Sequence, residues 1–249
     1  ALAALFWSGN HIVGRAISGE VPPIGISTVR WLLPTTALGF FAFPLIRRDW
    51  PIIRAHWGIM LWLGIVGGAL FTAGQYIGLQ YTTALNVSVL NSLIPVLIIA
   101  TGAILFRDRI TAIQFGGIVM SSVGVLVIIA RGDFSNLQHL LFNWGDIIIV
   151  FNMIVFAVYA VYLRKRPPMH GLSFIFVFGA VSTLPTLPFM IWETAAGITF
   201  KPTWLTIFAV VYVSIFPSLL AFAAWNRGVQ LISANRSGPF VHLVPVYTA

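Results

Sequence analysis

The chain consists of apolar runs of about 20 residues that recur along its whole length. A helix of that length crosses the hydrocarbon core of a bilayer and bonds its own backbone groups there. Charged residues form only 8% of the sequence, against about 25% in typical soluble domains. The alternating pattern of barrel strands is absent. These features predict an all-α, polytopic membrane helix bundle.

The hydropathy pattern predicts eight complete spans and most of a ninth. They are residues 1–18, 22–46, 58–81, 83–106, 111–130, 144–163, 171–193, 203–225 and 234–249. The last run is too short to cross the bilayer by itself. The sequence also starts without Met and inside an apolar run, so we expect both ends to be incomplete and no cleavable signal peptide.

The loops between these spans differ in charge. Ten Lys and Arg residues lie after even-numbered spans, whereas only Arg131 and Lys201 lie in the opposite loops. Because basic loops stay in the cytoplasm, we expect a cytoplasmic N-terminus. The net charge of +8 then reflects topology, and we expect no nucleic-acid partner. The chain has no cysteine, which excludes disulfides and thiolate metal sites within it.

An internal repeat appears at an offset of 150 residues. Seven residues are identical between 71–99 and 221–249, including Pro95 with Pro245 and Gly78 with Gly228. The offset corresponds to five spans, an odd number, so the second copy is inverted in the membrane. Inverted repeats are typical of secondary transporters, whose sites lie near the midplane between the copies. We expect halves at residues 1–130 and 144–249 and ten spans in the complete fold.

The repeated segment carries a polar face. Ser88, Asn91, Ser92 and Pro95 follow helical spacing in "ALNVSVLNSLIPV", and their counterparts are Gly238, Val241, His242 and Pro245. Polar groups in lipid are costly, so this face is expected to point inward. It either lines a central cavity, which the repetition favours, or bonds one helix to another.

Other residues carry a family resemblance. The segment "LFWSGNHIVGRAISGEVPPIGISTVRWLLPTTAL" resembles the first two helices of EamA-type members of the drug/metabolite transporter superfamily. The matching residues are Trp7, Ser8, Gly9, Asn10, Gly14, Arg15 and Arg30. The segment "GLQYTTALNVSVLNSLIPVL" resembles the family's junction between helices three and four. By contrast, "FRDRIT" departs from the usual F-x-E pattern, which removes the acidic residue expected there.

The resemblance is greatest to bacterial exporters of aromatic and other neutral amino acids. It implies ten helices, a location in the bacterial inner membrane and efflux of small metabolites.

Ten residues within the spans are candidates for contact with a substrate. They are Asn10, His11, Gln75, Tyr76, Ser88, Asn91, Ser92, Tyr159, Trp225 and His242. Ionisable groups inside a membrane bundle mostly serve function, whereas aromatic residues at span ends often anchor the helix at the interface. Arg15 and Arg30 either receive a substrate carboxylate or pair with helix C-termini or with Glu20. Three prolines are candidate hinges: Pro95, Pro217 and Pro245.

All six acidic residues fall in loops or at span ends: Glu20, Asp49, Asp108, Asp133, Asp146 and Glu193. Cation-coupled carriers usually keep a carboxylate near the midplane, so the sequence favours facilitated transport. Motifs of intramembrane enzymes and of phosphate-binding loops are absent, so we expect neither an enzyme nor an ATP-driven pump.

The sequence therefore predicts a secondary transporter that exports small metabolites, with neutral or aromatic amino acids as the first expectation. We expect a monomer in the bilayer without cofactor, metal or catalytic residues. The alternatives are an exporter of other small metabolites or drugs of the same superfamily, and a channel-like pore or membrane scaffold.

Overall fold

A computed structural model of the chain describes residues 1–129 and 143–248, where it is helical and forms no strand. The helices of the first range are α1 (Leu2–Ala16), α2 (Pro23–Phe41), α3 (Phe43–Ala55), α4 (Trp57–Leu63), α5 (Phe71–Tyr81), α6 (Ala84–Asn91), α7 (Ile94–Phe106) and α8 (Ala112–Ile129). Those of the second range are α9 (Trp144–Tyr162), α10 (Gly171–Ala195), α11 (Trp204–Val213), α12 (Ala221–Ile232), α13 (Ala234–Ser237) and α14 (Leu243–Thr248).

Within the described ranges, five helical stretches are long and apolar enough to cross a membrane. They are Trp57–Tyr81, Val89–Phe106, Trp144–Lys165, Gly171–Ala195 and Trp204–Ile232, with a sixth if α2 and α3 count as one span. The predicted polytopic all-α bundle is confirmed, and most of the predicted spans coincide with helices.

The second predicted span, 22–46, is wrong at its C-terminal end. Helix α2 ends at Phe41, and α3 leaves it at an angle of 103°. Pro44 cannot continue α2 but is tolerated in the first turn of a new helix. Ile46, Asp49 and Ile53 of α3 are buried, whereas its arginines are exposed. Helix α3 therefore lies across the bundle end where the basic loops gather, here called the basic end.

The eighth predicted span, 203–225, is seven residues too short. The helix continues from Trp225 to Ile232 although Asn226, Arg227 and Gln230 lower its hydropathy. Backbone groups at the edge of the membrane stay bonded in a helix, and long polar side chains reach the interface from there. Trp225 is therefore not a terminal anchor but a buried residue, 5% exposed.

Two spans contain a π-helical turn at matching positions. One turn runs over Gly64–Leu70 between α4 and α5, and the other over Ser214–Leu220 between α11 and α12. The two segments are separated by the same 150 residues as the sequence repeat. Pro217 lies in the second turn, where its missing N–H leaves the carbonyl of Val213 to accept a bond from Ser218 Oγ at 2.6 Å. π-Helical turns inside helices are frequent at functional sites.

Two further spans are broken, again at matching positions. Ser92 and Leu93 separate α6 from α7, and a 3₁₀ segment, Gly238–His242, separates α13 from α14. The breaks touch: His242 Nε2 donates to the carbonyl of Ser92 at 2.9 Å. Pro95 and Pro245 lie in the first turns after the breaks, where a proline needs no intrahelical partner.

The first helix of each described range packs against the other range. Trp7 of α1 donates through Nε1 to the carbonyl of Pro217 at 3.2 Å, and its ring packs at a tilt of 53° against that of Trp225. In the counterpart contact, the ring of Tyr159 in α9 fills the space beside Gly67. Glycine is required there because a Cβ atom would overlap the ring. Because α1 and α9 each pack against the opposite range of the chain, both broken helices lie beside the same central space.

Two buried carboxylates cap the first turns of long helices. Glu193 of α10 accepts hydrogen bonds from the N–H groups of Ile24 at 3.1 Å and Gly25 at 2.7 Å in α2. Asp49 of α3 accepts from the N–H of His170, which precedes α10, at 2.8 Å. A carboxylate at a helix N-terminus satisfies free donors and interacts favourably with the helix dipole. These caps explain why acidic residues lie at span ends.

Candidate functional site

A small chamber lies between α1, α2, α5, α9 and the two broken helices. Its volume is about 20 Å³, room for about one water molecule. The lining residues are Trp7, Asn10, His11, Arg30, Phe71, Gln75, Asn91, Ile94, Phe156, Val241 and Val244. Five of them are polar and inside the membrane bundle, the position in which polar groups usually serve function.

A hydrogen-bonded cluster forms one wall of this chamber. Arg30 Nε donates to Ser218 Oγ at 2.7 Å, and Arg30 Nη1 donates to Asn10 Oδ1 at 3.3 Å and to the Tyr76 hydroxyl at 3.2 Å. Tyr76 in turn donates to Asn10 Oδ1 at 2.8 Å. The cluster joins α1, α2, α5 and the second π-helical turn, so it connects both halves.

The opposite wall holds an imidazole beside a helix break. Asn91 Nδ2 lies 3.5 Å from both ring nitrogens of His11. Both side chains are buried, at 5% exposure each. Asn91 is the last residue of α6, so the break that follows it sets the position of its amide.

Gln75 and Trp225 occupy equivalent positions in the repeat, and both leave a donor without a partner. Gln75 accepts a long bond, 3.5 Å, from Asn152 Nδ2, while its own Nε2 has no partner among the described residues. Trp225 Nε1 is likewise buried and unpartnered in the described part of the chain. Buried polar groups without partners are rare and indicate a ligand, an ion or water.

Four of the predicted site residues line the chamber together: Asn10, His11, Gln75 and Asn91. Tyr76 does not line it but donates a hydrogen bond to Asn10, which does. The others lie around it. Ser92 bonds to the carbonyl of Val89 at 2.6 Å, and His242 bonds to the Ser92 carbonyl. The hydroxyl of Tyr159 donates to Asn226 at 2.6 Å, away from the chamber, and Trp225 lines a cavity closer to the basic end. The side chain of Ser88 lies outside the described residues.

Sequence reasoning missed Ser218, which bonds to Arg30, and several residues that line the chamber. Ser218 follows Pro217 and matches Gly68 in the repeat. A polar residue in one copy where the other copy has glycine was a signal that could have marked Ser218. Phe71, Phe156 and Ile94 gave no signal, because apolar residues that face a cavity and those that face lipid have the same composition.

Larger cavities lie toward the basic end. One of about 770 Å³ is lined by Asp108, Arg164, Arg166 and Arg236, and another of about 360 Å³ borders the first four residues and Trp225. At the opposite end, Asp146 accepts from Thr82 Oγ1 at 2.5 Å. The two larger cavities therefore lie on the basic side of the chamber.

An ion pair bridges the halves at the rim of the larger cavity. Arg164 donates to both oxygens of Asp108, at 2.9 and 2.5 Å, and Asn235 Nδ2 adds a bond at 3.3 Å. The Arg164 guanidinium lowers the pKa of Asp108 below its ordinary value, against the opposing effect of burial. The pair is therefore fully formed at neutral pH and is lost only in acid, as the pH falls through the lowered pKa.

Broken helices that bring polar residues into the interior of a membrane bundle are typical of secondary transporters. The chain belongs to the EamA-like transporter family, whose model matches residues 1–130 and 143–249. The protein is thus a multi-pass membrane transporter, and the expected family is confirmed.

The relatives carry transporter names. The chain is 29% identical to the uncharacterized transporter YyaM of Bacillus subtilis, over 75% of this chain. The match spans 61% of that protein's length. It is 26% identical to an uncharacterized transporter of Archaeoglobus fulgidus, over 100% of this chain and 85% of that protein. It is 24% identical to a probable amino-acid metabolite efflux pump of Salmonella typhimurium, over 98% of this chain and 81% of that protein.

A solved structure described as "Crystal structure of protein" has the same fold. The two chains superpose with a TM-score of 0.71 at 20% identity, over 99% of this chain and 83% of the other. At this identity the likeness concerns the fold alone.

Proposed function

We propose that the protein is a secondary exporter of small metabolites, neutral or aromatic amino acids first, that works by alternating access through the central chamber. The observation that carries this proposal is the small chamber, lined by five polar residues, between two broken helices, one in each described range of the chain. The name of the Salmonella relative, a probable amino-acid metabolite efflux pump, agrees with this substrate class.

The two halves, 1–130 and 144–249, act in this proposal as inverted copies that rock around the chamber. Pro95, Pro217 and Pro245 mark the points where helices bend, because each lies in or beside an interrupted helical turn. The protein works as a monomer in the bacterial inner membrane with its N-terminus in the cytoplasm, since the basic end carries the positive loops. The larger cavities then open toward the cytoplasm, the side from which an exporter loads.

Transport is facilitated in this proposal. None of the carboxylates in residues 1–129 and 143–248 lines the chamber. Glu193, Asp49 and Asp146 accept hydrogen bonds at helix N-termini. Asp108 pairs with Arg164, and Glu20 accepts long bonds from two threonines. A carrier without a carboxylate at its site has no acidic group there to couple substrate to protons or sodium. A histidine remains available at the chamber, so this prediction is tested directly.

The test is counterflow with the full-length protein in proteoliposomes. Vesicles loaded with unlabelled phenylalanine, tryptophan or leucine are diluted into labelled substrate with equal pH and equal sodium on both sides. We expect saturable exchange that unlabelled substrate inhibits. An absolute requirement for a proton gradient would contradict facilitated transport, and uptake that rises without saturation would support the channel-like pore instead.

A further inference from the structure

Arg30 is a buried cation whose contacts are all neutral. Its exposure is 2%, and its three hydrogen-bond partners are Ser218, Asn10 and Tyr76. The ion pairs of the described residues join Arg48 with Asp49 and Arg164 with Asp108 and do not include Arg30. A buried charge is stable only with a compensating partner, and removing that partner is strongly destabilising.

The other arginine of this region is satisfied in a different way. Arg15 donates to the carbonyls of Leu79 at 2.9 Å and Gln80 at 3.4 Å, at the C-terminal end of α5. A cation at a helix C-terminus is favourable, so Arg15 needs no further anion. Of the two alternatives for these arginines, Arg15 therefore follows the helix-end pairing. The Arg30 guanidinium has three neutral hydrogen-bond partners and lies 5.5 and 6.0 Å from the rings of Tyr76 and Trp31, but it has no carboxylate partner within the described ranges.

A second donor points to the same ligand chemistry. Gln75 lines the chamber with Arg30, is 4% exposed, and has no partner for its Nε2 within the described ranges. Two donors at one cavity, one of them a cation, suit the two oxygens of a carboxylate. The remaining walls, which include Phe71, Ile94 and Phe156, suit an apolar side chain.

We infer that Arg30 and Gln75 hold the carboxylate of the transported substrate, which makes the substrate class small monocarboxylates with an apolar side chain. This inference rests on the proposed function and specifies its site. Asn10 and Tyr76 orient the guanidinium, and Ser218 ties it to the second π-helical turn, which contains Pro217. Arrival of the anion at Arg30 therefore acts on an interrupted helical turn in the second described range. The chamber has room for about one water molecule in this conformation, so its walls must part to admit the substrate.

The test compares phenylalanine with phenylalaninamide, which lacks the carboxylate. Thermal stabilisation of the purified protein reports binding, and counterflow reports transport. We expect phenylalanine to stabilise the wild type and the amide to bind at least about 10-fold more weakly, because a hydrogen bond to a charged group is worth that much. Arg30→Gln should bind phenylalanine about 10- to 100-fold more weakly. Arg15→Gln serves as the matched control and should keep binding.

A purely structural role of Arg30 gives a different result. If Arg30 serves substrate, Arg30→Gln without ligand should melt at the wild-type temperature or above it, because an uncompensated buried charge is gone. A lower melting temperature with unchanged affinity would overturn the inference.

Three further outcomes would also overturn it. One is equal binding of acid and amide, with counterflow intact, which leaves the transporter proposal standing. Another is a chloride requirement, with chloride replacing phenylalanine as the stabilising ligand. The third is the absence of stabilisation by any acid tested.

Discussion

Replacing Gly67 by valine is expected to destabilise the fold strongly. A Cβ atom at this position would overlap the ring of Tyr159, which is completely buried. The ring cannot move aside easily, because its hydroxyl donates to Asn226 at 2.6 Å and its face packs on Phe178 and Phe222. Overpacking a dense core costs about 1–3 kcal/mol or more. We expect melting to fall by about 5 °C or more, with a reduced yield of monodisperse protein.

The melting curve in detergent, followed by size-exclusion chromatography, measures this effect. Gly117→Val is the control, since Gly117 lies on an exposed face of α8 with open space beside it. We expect the control to melt as the wild type does. Wild-type stability of Gly67→Val would mean that α9 does not pack against the first π-helical turn as described.

Glu193→Ala should destabilise the protein to a similar extent. Glu193 is 3% exposed, and its removal leaves the N–H groups of Ile24 and Gly25 without their acceptors. Each buried donor left unpaired costs about 1–3 kcal/mol. We expect the melting temperature of Glu193→Ala to fall by roughly 5–10 °C. Glu193→Gln keeps one side-chain oxygen, so its melting temperature should lie between those of the wild type and Glu193→Ala.

Glu20→Ala provides the comparison, because Glu20 lies near the same end but accepts only long bonds, 3.4 Å, from Thr203 and Thr206. Its loss should change melting little. Equal destabilisation by Glu20→Ala and Glu193→Ala would indicate a general charge effect at this end instead of a helix cap.

Most of the fold could be predicted because the bilayer imposes helix length and internal bonding. The sequence offset of 150 residues also located the broken helices, since both carry a proline at the same position. The π-helical turns could not be predicted from the sequence. A single π-helical turn shifts the spacing of apolar residues along the helix by only about one residue, so the hydropathy pattern looks like that of an uninterrupted α-helix. The bend after α2 was missed because Phe41, Phe43 and Ile46 extend the apolar run beyond the point where Pro44 ends the helix.

The inward orientation of several candidate residues was predictable where polarity alone decided. Asn10, His11, Gln75 and Asn91 are polar in an apolar run, so they had to face inward, and the structure brings them to one chamber. Tyr159 and Trp225 were harder to place, since an aromatic residue packs equally well against a glycine, a ring or a ligand. The role of Arg30 depended on what surrounds it, and no sequence pattern reports that a buried cation has only neutral partners.

The central claim is that the chamber can be reached from each side of the membrane in turn, and cysteine accessibility tests it most directly. The chain has no cysteine, so Ile94→Cys, which lines the chamber, introduces a single thiol. Val96→Cys, exposed on the outside of α7, is the control. Membrane-impermeant thiol reagent is added to either face of oriented vesicles. The account predicts labelling of Ile94→Cys from both faces, slowed by substrate, and no labelling of Val96→Cys. Labelling of Ile94→Cys from one face only, or at a rate that substrate does not change, would contradict it.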